Sequence, residues 1–587
     1  MRNEGLLGVA LFKESSFIVV DRNGPPCNTV DCYSICIYIM PYQHFWLVLW
    51  MVIGTFLRFI NLGKLPPWTD ESATIVFSLG NSFYNVPLNQ FIDLQTLLEP
   101  LRLNPNAGIA DVVNLLLTES THPPLYFVLT HLWLKLFPST TGLVSVWAAR
   151  SLSALLGVLS IPAIFYFAKL VSRSLVSAQI AAAMMAVSPY GIFLATQARH
   201  YTLVILITIA SLSCFVAAFR SFEEGKTIPL WLVFVWIGIN CIGIATHYFF
   251  VLTLAAMAIA FIPLAWRNFK QKTFLITQWR RIYLVAFGSL VGCLVWLPVL
   301  LSIRGRSPTD WIYQSNAAER WLEPIGRFLI WLMSMVVLLP TSLYDFSLGI
   351  VIFFGICSLL FWCWYLPYLL YGLKQYSDRT SGLKTYFWAA IALFFLFTYL
   401  GMDLTLAGRF HFVYFPVVIT LIATSLGYFW QDEGFRQPVK LWSKSIKRSK
   451  RIVVIVLSLG LFSGTIALFN LGYLQNHRPD LAIAKIAEGT RTDVAIATTY
   501  KHHGQTGRII GLAWGLKNLP NIHSPRFFLT QKRETLTEEL SKLKRPLDLW
   551  LINHDKIELE AQNCFLDPEY QGMSGQYKYK LYRCQDI

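Results

Sequence analysis

The stretch LPPWTDE, Leu65–Glu71, follows directly on the first strongly apolar run of the chain, Phe45–Leu62. An apolar run of this length predicts a helix that crosses a membrane. The carboxylates of Asp70 and Glu71 then lie at the mouth of the membrane part, where charged groups are costly and indicate a functional site. A structural alternative stays open, because Asp is a favoured N-cap and Asp70 could simply cap a helix that starts at Glu71 or Ser72.

The composition indicates a polytopic membrane protein. Of 587 residues, 55% are hydrophobic and 14% are charged, whereas soluble proteins carry about a quarter charged residues. The net charge of +16 does not indicate a nucleic-acid partner, because the basic residues stand in short groups between apolar runs, as the positive-inside rule predicts. The ten cysteines include no CxxC pair or zinc spacing, which gives no support for a metal site built from cysteine.

The distribution of apolar runs and basic loops predicts the topology. After the first run, full-length apolar runs lie at about 147–168, 174–190, 201–219, 229–246, 248–265, 282–301, 347–372, 385–402, 411–429 and 452–471. Basic residues collect in loops around 169–173, 267–281, 374–384 and 436–451. All four loops face inward if the two shorter runs, 123–137 and 326–340, do not cross. The sequence therefore predicts about 11 membrane helices, or about 13 if both short runs cross, with the N-terminus inside and the C-terminus outside.

The predicted domains follow from this pattern. Residues 1–39 contain no clean signal-peptide pattern and receive no function, and Met40 is a second candidate start. Residues 40–471 form the predicted membrane domain. Within it, residues 62–146 form a first outer loop, whose amphipathic pieces such as Phe91–Leu98 are expected to lie as helices on the membrane surface.

Residues 472–587 have the character of a soluble segment. Asp493–Thr499 and Leu547–Asn553 are predicted as buried strands, and Glu534–Lys544 as an amphipathic helix between them. The simplest interpretation is a small α/β domain outside the membrane. Cys564 and Cys584 are the only cysteines beyond the last apolar run, and an extracytoplasmic compartment permits a disulfide between them.

This topology gathers a group of polar residues on the outer face. The candidate site residues among them are Asp70, Glu71, His122, Arg150, Arg199, His247 and Arg409. Each has a structural alternative. The arginines could place their charged ends at the membrane interface, His122 could be a polar residue at the start of an interfacial helix, and His247 could bond only to backbone.

Several motifs in order give the chain a family resemblance. They are Arg58, WTDESA (68–73), THPPLYF (121–127), AAR (148–150), SPYGIFLATQARHYTL (188–203) and AGRFHFVYFP (407–416). With them the chain resembles GT-C-fold glycosyltransferases, and more narrowly family 39, which includes protein O-mannosyltransferases and the aminoarabinose transferases that modify lipid A. The resemblance covers roughly residues 45–430. It implies a multi-pass protein of the plasma (inner) membrane with an extracytoplasmic active face, and Asp70 as catalytic base. It also implies a polyprenyl-phosphate sugar as donor and an extracytoplasmic lipid, glycan or protein as acceptor.

One departure from the family pattern concerns metal. Many relatives place an acidic residue in the second outer loop, but Gln197–Tyr201 contains none. We therefore predict no metal ligands, while a divalent metal stays open as a cofactor, and Arg199 becomes a candidate for binding the donor phosphate.

The chemistry suits these residue types. An acceptor hydroxyl needs a base, and a departing phosphate needs positive charge, which the planar guanidinium of Arg409, Arg199 or Arg150 supplies. Two alternatives remain at this stage. One is a transporter or flippase for a lipid-linked or small polar substrate, although no internal repeat supports it. The other is a relative that has lost catalysis and serves in assembly.

Overall fold

The computed structural model describes residues 29–586 except 271–275, 304–306, 315, 316, 318, 432–438, 442, 443, 447–449 and 476. The chain divides into residues 1–48 and 49–587. Most of the predicted N-terminal segment, residues 1–28, lies outside the described residues, as do parts of the basic loops around 267–281 and 436–451. The described end of the first unit is helical.

The described residues form 21 α-helices and eight strands. The helices are α1 (Thr29–Phe59), α2 (Thr69–Ser78), α3 (Leu94–Leu98), α4 (Ile109–Glu119), α5 (Leu125–Leu134), α6 (Val146–Ser172), α7 (Leu175–Val187), α8 (Pro189–Ala195), α9 (Tyr201–Glu223), α10 (Leu230–Thr246), α11 (Phe250–Lys270), α12 (Ile276–Leu294), α13 (Leu297–Ile303), α14 (Leu322–Ser334), α15 (Leu348–Gln375), α16 (Ser377–Tyr399), α17 (Phe415–Trp430), α18 (Lys450–Leu468), α19 (Pro479–Gly489), α20 (His503–Leu516) and α21 (Arg533–Leu540). The strands are β1 (Phe91–Ile92), β2 (Val439–Leu441), β3 (Lys444–Ile446), β4 (Asp493–Thr499), β5 (Arg526–Thr530), β6 (Leu547–Ile552), β7 (Cys564–Ser574) and β8 (Tyr577–Cys584).

The membrane part is polytopic, as predicted. Among the described residues six helices are long and apolar enough to cross a membrane, namely α6, α9, α11, α15, α16 and α18. The bent pair α7 and α8 makes a seventh candidate. Shorter apolar helices cover His44–Phe59, α5, α10 and α17. Every predicted apolar run thus contains a helix, while the count of about 11 spans stays a prediction.

The break between α7 and α8 brings the second outer loop to the site. Its cause is local: Pro189 has no backbone N–H, and the chain turns by 54° there. The carbonyls that end α7 are satisfied by Arg58, whose guanidinium donates to Met185 (2.9 Å) and Ala186 (2.9 Å). The Oγ of Ser188 accepts from the N–H of Gly191 and caps α8. The loop after α8 therefore starts from a fixed point.

The first outer loop contains α2 to α5, but one of its predicted helices is wrong. We expected Phe91–Leu98 to be an amphipathic helix on the membrane surface. Only α3 is helical, and Phe91 and Ile92 form β1, which pairs antiparallel with β5 of the C-terminal segment. The ring of Phe91 packs against that of Phe528 at 4.8 Å. Tertiary pairing overrides the helical pattern in so short a segment.

The C-terminal segment contains a mixed six-stranded sheet of order β1-β5-β4-β6-β8-β7. The central pairs β4–β5 and β4–β6 are parallel and the others are antiparallel. The two predicted strands correspond to β4 and β6, and the predicted helix to α21. Cys564 and Cys584 are register partners on β7 and β8 and form the predicted disulfide. The predicted domain boundary at residue 472 stays a prediction.

Candidate functional site

A cavity of about 1630 Å³ lies between the membrane helices, the first outer loop and the C-terminal segment. Five of the predicted site residues line it, namely Asp70, His122, Arg199, His247 and Arg409. The C-terminal segment contributes His477, Lys501, His502, His503, Gly504, Gln505, Arg508 and Gln576 to the same wall. The structure thus brings together residues that are separated by hundreds of positions in the chain.

Asp70 lies in the first turn of α2 and is not its N-cap. The helix begins at Thr69, with Trp68 at the N-cap position, so the capping alternative for Asp70 is wrong. The Asp70 side chain is 27% exposed, and its Oδ2 lies 3.3 Å from Nη2 of Arg409 and 3.8 Å from Nη2 of Arg199. The carboxylate therefore faces the cavity between two guanidinium groups.

Arg409 is held by aromatic rings. It belongs to a 3-10 helix, Gly408–Val413, and its guanidinium carbon lies 5.5 Å from the ring centre of Trp68 and 5.3 Å from that of Trp311. Cation–π contacts of this kind favour a fixed position for the cation. A Cβ at Gly408 would overlap the ring of Trp331, so only glycine lets the chain pass at this point.

Arg199 fixes both the Asp70 backbone and His122. It is 1% exposed, and its Nη1 donates to the carbonyl of Asp70 (3.0 Å) and to Oγ1 of Thr74 (2.8 Å). Its Nη2 donates to Nε2 of His122 at 2.9 Å. Because a guanidinium can only donate, Nδ1 of His122 carries the ring proton and donates to Ser120 at 3.2 Å. His122 is thus an acceptor for Arg199.

Glu71 and Arg150 form a buried ion pair outside the cavity lining. Nε and Nη2 of Arg150 donate to the two oxygens of Glu71, each at 2.7 Å. The same carboxylate accepts from the backbone N–H groups of Ala198 (2.8 Å) and Trp68 (3.3 Å), and Arg150 also donates to the carbonyl of Leu65. We expected Glu71 in the catalytic group and Arg150 at the phosphate. The structure instead gives both of them contacts that hold the loop.

The surroundings lower the pKa values of both Asp70 and the nearby histidines, which favours a charged carboxylate and neutral imidazoles. Burial alone would raise the pKa of Asp70, but the guanidinium groups of Arg409 and Arg199 outweigh it and hold that pKa below its ordinary value. Burial, followed by the charge of Arg199, holds the pKa of His122 well below its usual range. Burial also lowers the pKa of His477 to about 4. The site therefore contains an ionised carboxylate with neutral imidazoles at neutral pH.

His247 and His477 also line the cavity that contains Asp70 and Arg409. Nδ1 of His247 accepts from the backbone N–H of Phe249 at 3.0 Å, which leaves Nε2 as the protonated nitrogen in the neutral ring. The ring of His477 stacks on Trp68 with centroids 5.2 Å apart. Sequence reasoning did not find His477, Trp311 or Arg508. No local pattern marks them, because each comes from a segment that is far from Asp70 in the chain.

Metal-ligating groups are sparse at this site. Within the part of the chain that the structure describes, no group of three or more His, Cys, Asp or Glu side chains could hold a metal ion. The ion-pair partners of the Asp70 carboxylate are the guanidinium groups of Arg409 and Arg199. These groups can hold a phosphate, whereas a cationic side chain cannot bind a metal ion.

A known protein family matches part of the chain. Residues 129–314 match the model of the PMT family, described as dolichyl-phosphate-mannose-protein mannosyltransferase. Arg150, Arg199 and His247 lie inside the matched region, whereas Asp70 and Arg409 lie outside it. No curated protein sequence matches the chain.

Solved structures of low sequence identity are similar to the chain. ArnT from Cupriavidus metallidurans bound to undecaprenyl phosphate has 13% identity and a TM-score of 0.49, with 91% of this chain and 98% of that chain covered. The archaeal oligosaccharyltransferase AglB from Archaeoglobus fulgidus, in complex with an inhibitory peptide and a dolichol-phosphate, has 12% identity and a TM-score of 0.45. There the match covers 92% of this chain and 74% of that chain.

Proposed function

We propose that the chain, whose residues 129–314 match the PMT family model, is a glycosyltransferase of that family and transfers a sugar from a polyprenyl-phosphate carrier to an acceptor hydroxyl outside the plasma membrane. The donor class is supported by the description of the matched family, which names a dolichyl-phosphate sugar. The family match favours the enzyme over the transporter or flippase alternative.

One observation carries the catalytic assignment. The carboxylate of Asp70 faces the cavity with Arg409 at 3.3 Å and Arg199 at 3.8 Å. In the reaction Asp70 takes the proton of the acceptor hydroxyl. The hydroxyl oxygen forms a bond to the anomeric carbon of the sugar, the bond from that carbon to the phosphate oxygen breaks, and polyprenyl phosphate leaves as an anion. A single base suffices, because the phosphate needs no protonation to depart.

The cations stabilise the departing phosphate. Arg409 presents its guanidinium edge beside Asp70, and its faces are packed by Trp68 and Trp311. A planar guanidinium can bind two phosphate oxygens at once. Arg199 lies 3.8 Å from the same Oδ2 and is oriented by His122. Charge that is already in position where negative charge develops lowers the barrier without reorganisation.

The remaining predicted residues act by position. Glu71 and Arg150 hold the Asp70 loop to α6 and to Ala198 through their buried pair. His247 lines the cavity, and its role in the proposal is to donate its Nε2 proton to a sugar or acceptor oxygen. We expect no metal requirement, since Arg409 and Arg199 supply the positive charge at the phosphate.

The test is transfer by the purified full-length protein. Labelled polyprenyl-phosphate sugars are supplied with membrane acceptors, and labelled product and released polyprenyl phosphate are separated by thin-layer chromatography, with and without EDTA. We expect transfer that survives EDTA. Folded protein that transfers none of the sugars would overturn the proposal, and movement of intact donor across vesicles would favour the flippase. Activity that is lost in EDTA and restored by a divalent cation would show that a metal ion, and not the two arginines, supplies the positive charge at the phosphate.

A further inference from the structure

The C-terminal segment is built into the loop that carries Asp70. One buried apolar cluster contains residues of the first outer loop, such as Ile75, Leu97 and Leu116, together with Ile509 and Trp550 of the C-terminal segment. The outer loop also supplies β1 to the C-terminal sheet. Movement of one part is therefore expected to disturb the other.

Helix α20 meets the Asp70 loop with a row of glycines. Gly507, Gly511 and Gly515 are four residues apart and lie on one face of the helix. A Cβ at Gly511 would overlap the carbonyl oxygen of Pro67, and a Cβ at Gly507 would lie 3.2 Å from the carbonyl oxygen of Thr69. Both are contacts between helix backbone and loop backbone, and at Gly511 a larger residue would force the loop backbone to move.

The segment before α19 adds a second contact to the same loop. The ring of His477 stacks on Trp68 with centroids 5.2 Å apart and planes at 22°. Trp68 in turn packs on the guanidinium of Arg409 at 5.5 Å. The C-terminal segment thus contacts the loop from Pro67 to Asp70 in two places: α20 packs on its backbone, and His477 stacks on the side chain of Trp68.

We propose that α20 is a positioning element of the active site, with Gly511 as its critical residue. The inference rests on the proposed function, in which Asp70 is the base. Asp70 follows Pro67 by three residues, so a shift of the Pro67 carbonyl changes the place of its carboxylate between Arg409 and Arg199. A displacement of about 1 Å in a catalytic group can cost about a hundredfold in rate.

The test compares two glycine substitutions in the full-length protein. Gly511→Ala forces the Pro67 carbonyl to move, whereas Gly572→Ala, on β7 of the C-terminal sheet, places its Cβ no closer than 3.4 Å to another group, the Tyr579 hydroxyl. We expect Gly511→Ala to lower kcat by about tenfold or more with little change in the KM for the donor. We also expect faster hydrogen exchange of backbone amides in residues 68–78. Gly572→Ala should match the wild type in both measurements.

A graded variant keeps the test independent of folding. Gly507→Ala needs a shift of only a few tenths of an ångström at Thr69, so a smaller loss of kcat is expected from it if Gly511→Ala does not fold. Wild-type kcat in folded Gly511→Ala would overturn the proposal, whether or not exchange becomes faster. Absence of transfer by the wild-type chain would overturn the proposed function instead, and the exchange measurement would still decide whether α20 holds the loop.

Discussion

Oδ2 of Asp70 lies 3.3 Å from Nη2 of Arg409, so the proposed base and the proposed phosphate ligand are ion-paired with each other. A phosphate at Arg409 competes with the carboxylate for the guanidinium. As it binds, Asp70 loses part of the charge that holds its pKa low and gains a negative neighbour. Donor binding is therefore expected to make Asp70 a stronger base at the moment it is needed.

Asp70→Asn is expected to lower turnover by about 10²- to 10⁴-fold, the usual contribution of a general base. Asn has nearly the same size but cannot take up the hydroxyl proton. The measurement is turnover of a labelled polyprenyl-phosphate sugar by purified protein. Asp93→Asn, at the N-cap of α3 in the same outer loop, is the matched control and should keep wild-type turnover. Near wild-type turnover of Asp70→Asn would show that Asp70 has no catalytic role.

Arg409→Ala is expected to weaken donor binding and lower the rate, since the same charge contacts the phosphate before and during transfer. Loss of a charged hydrogen bond in a desolvated site costs a few kcal/mol, which is about a hundredfold. Arg409→Lys should recover only part, because an ammonium lacks the planar fork. Titration with polyprenyl phosphate measures the binding. Arg173→Ala, an exposed residue that pairs with Glu224, is the control, and unchanged affinity in Arg409→Ala would exclude it as the phosphate ligand.

The pH dependence tests the electrostatics of Asp70. The carboxylate is the active form, so activity is lost as the pH falls through its pKa, which Arg409 and Arg199 hold low against the effect of burial. Arg199→Met removes one of these charges. The acidic limb of kcat/KM, which reports the free enzyme, is then expected to move to higher pH. Burial lowers the pKa of His477 to about 4, so that ring gains a proton at the upper end of the same acidic range, whereas burial holds the pKa of His122 well below its usual value. An acidic limb that does not move in Arg199→Met would show that the charge of Arg199 does not lower the pKa of Asp70.

Glu71→Gln is expected to destabilise the fold rather than to act on the chemistry. The substitution leaves Arg150 buried without its counter-ion, and breaking such a pair costs about 3–5 kcal/mol. Thermal unfolding in detergent measures the loss. Glu99→Gln breaks an exposed pair with Arg102 in the same loop and should change stability by less than about 1 kcal/mol. If Glu71→Gln keeps wild-type stability but loses turnover, Glu71 has a catalytic role instead of a structural one.

The oxidation state of Cys564 and Cys584 tests whether the C-terminal segment lies outside the reducing cytoplasm. Alkylation of denatured, unreduced protein followed by mass spectrometry should leave Cys564 and Cys584 unlabelled, whereas Cys363, a free and exposed cysteine, is labelled. Reduction is expected to lower the stability of the C-terminal segment by about 3 kcal/mol, given a separation of 20 residues. Labelling at both positions in the denatured, unreduced protein would contradict either the pairing or the predicted extracytoplasmic placement.

Much of this molecule could be predicted from local sequence. Apolar runs long enough to span a bilayer predict the membrane helices, and the apolar segments at 493–499 and 547–552 predict two central strands. The two cysteines beyond the last apolar run predict their own pairing. The loop Leu65–Glu71 could be identified because carboxylates at a membrane mouth need an explanation. Each of these inferences depends on neighbours in the chain alone.

Which carboxylate faces the cavity was decided only by the tertiary structure. Asp70 and Glu71 are adjacent, and successive side chains on a helix of 3.6 residues per turn point about 100° apart. One therefore faces Arg409 and the other faces Arg150, yet the sequence does not say which helix lies on which side. The same holds for Gly511 and His477, whose partners lie more than 400 positions away in the chain. Local pattern determines which segments are buried, whereas contacts between distant segments decide which side chain meets the substrate.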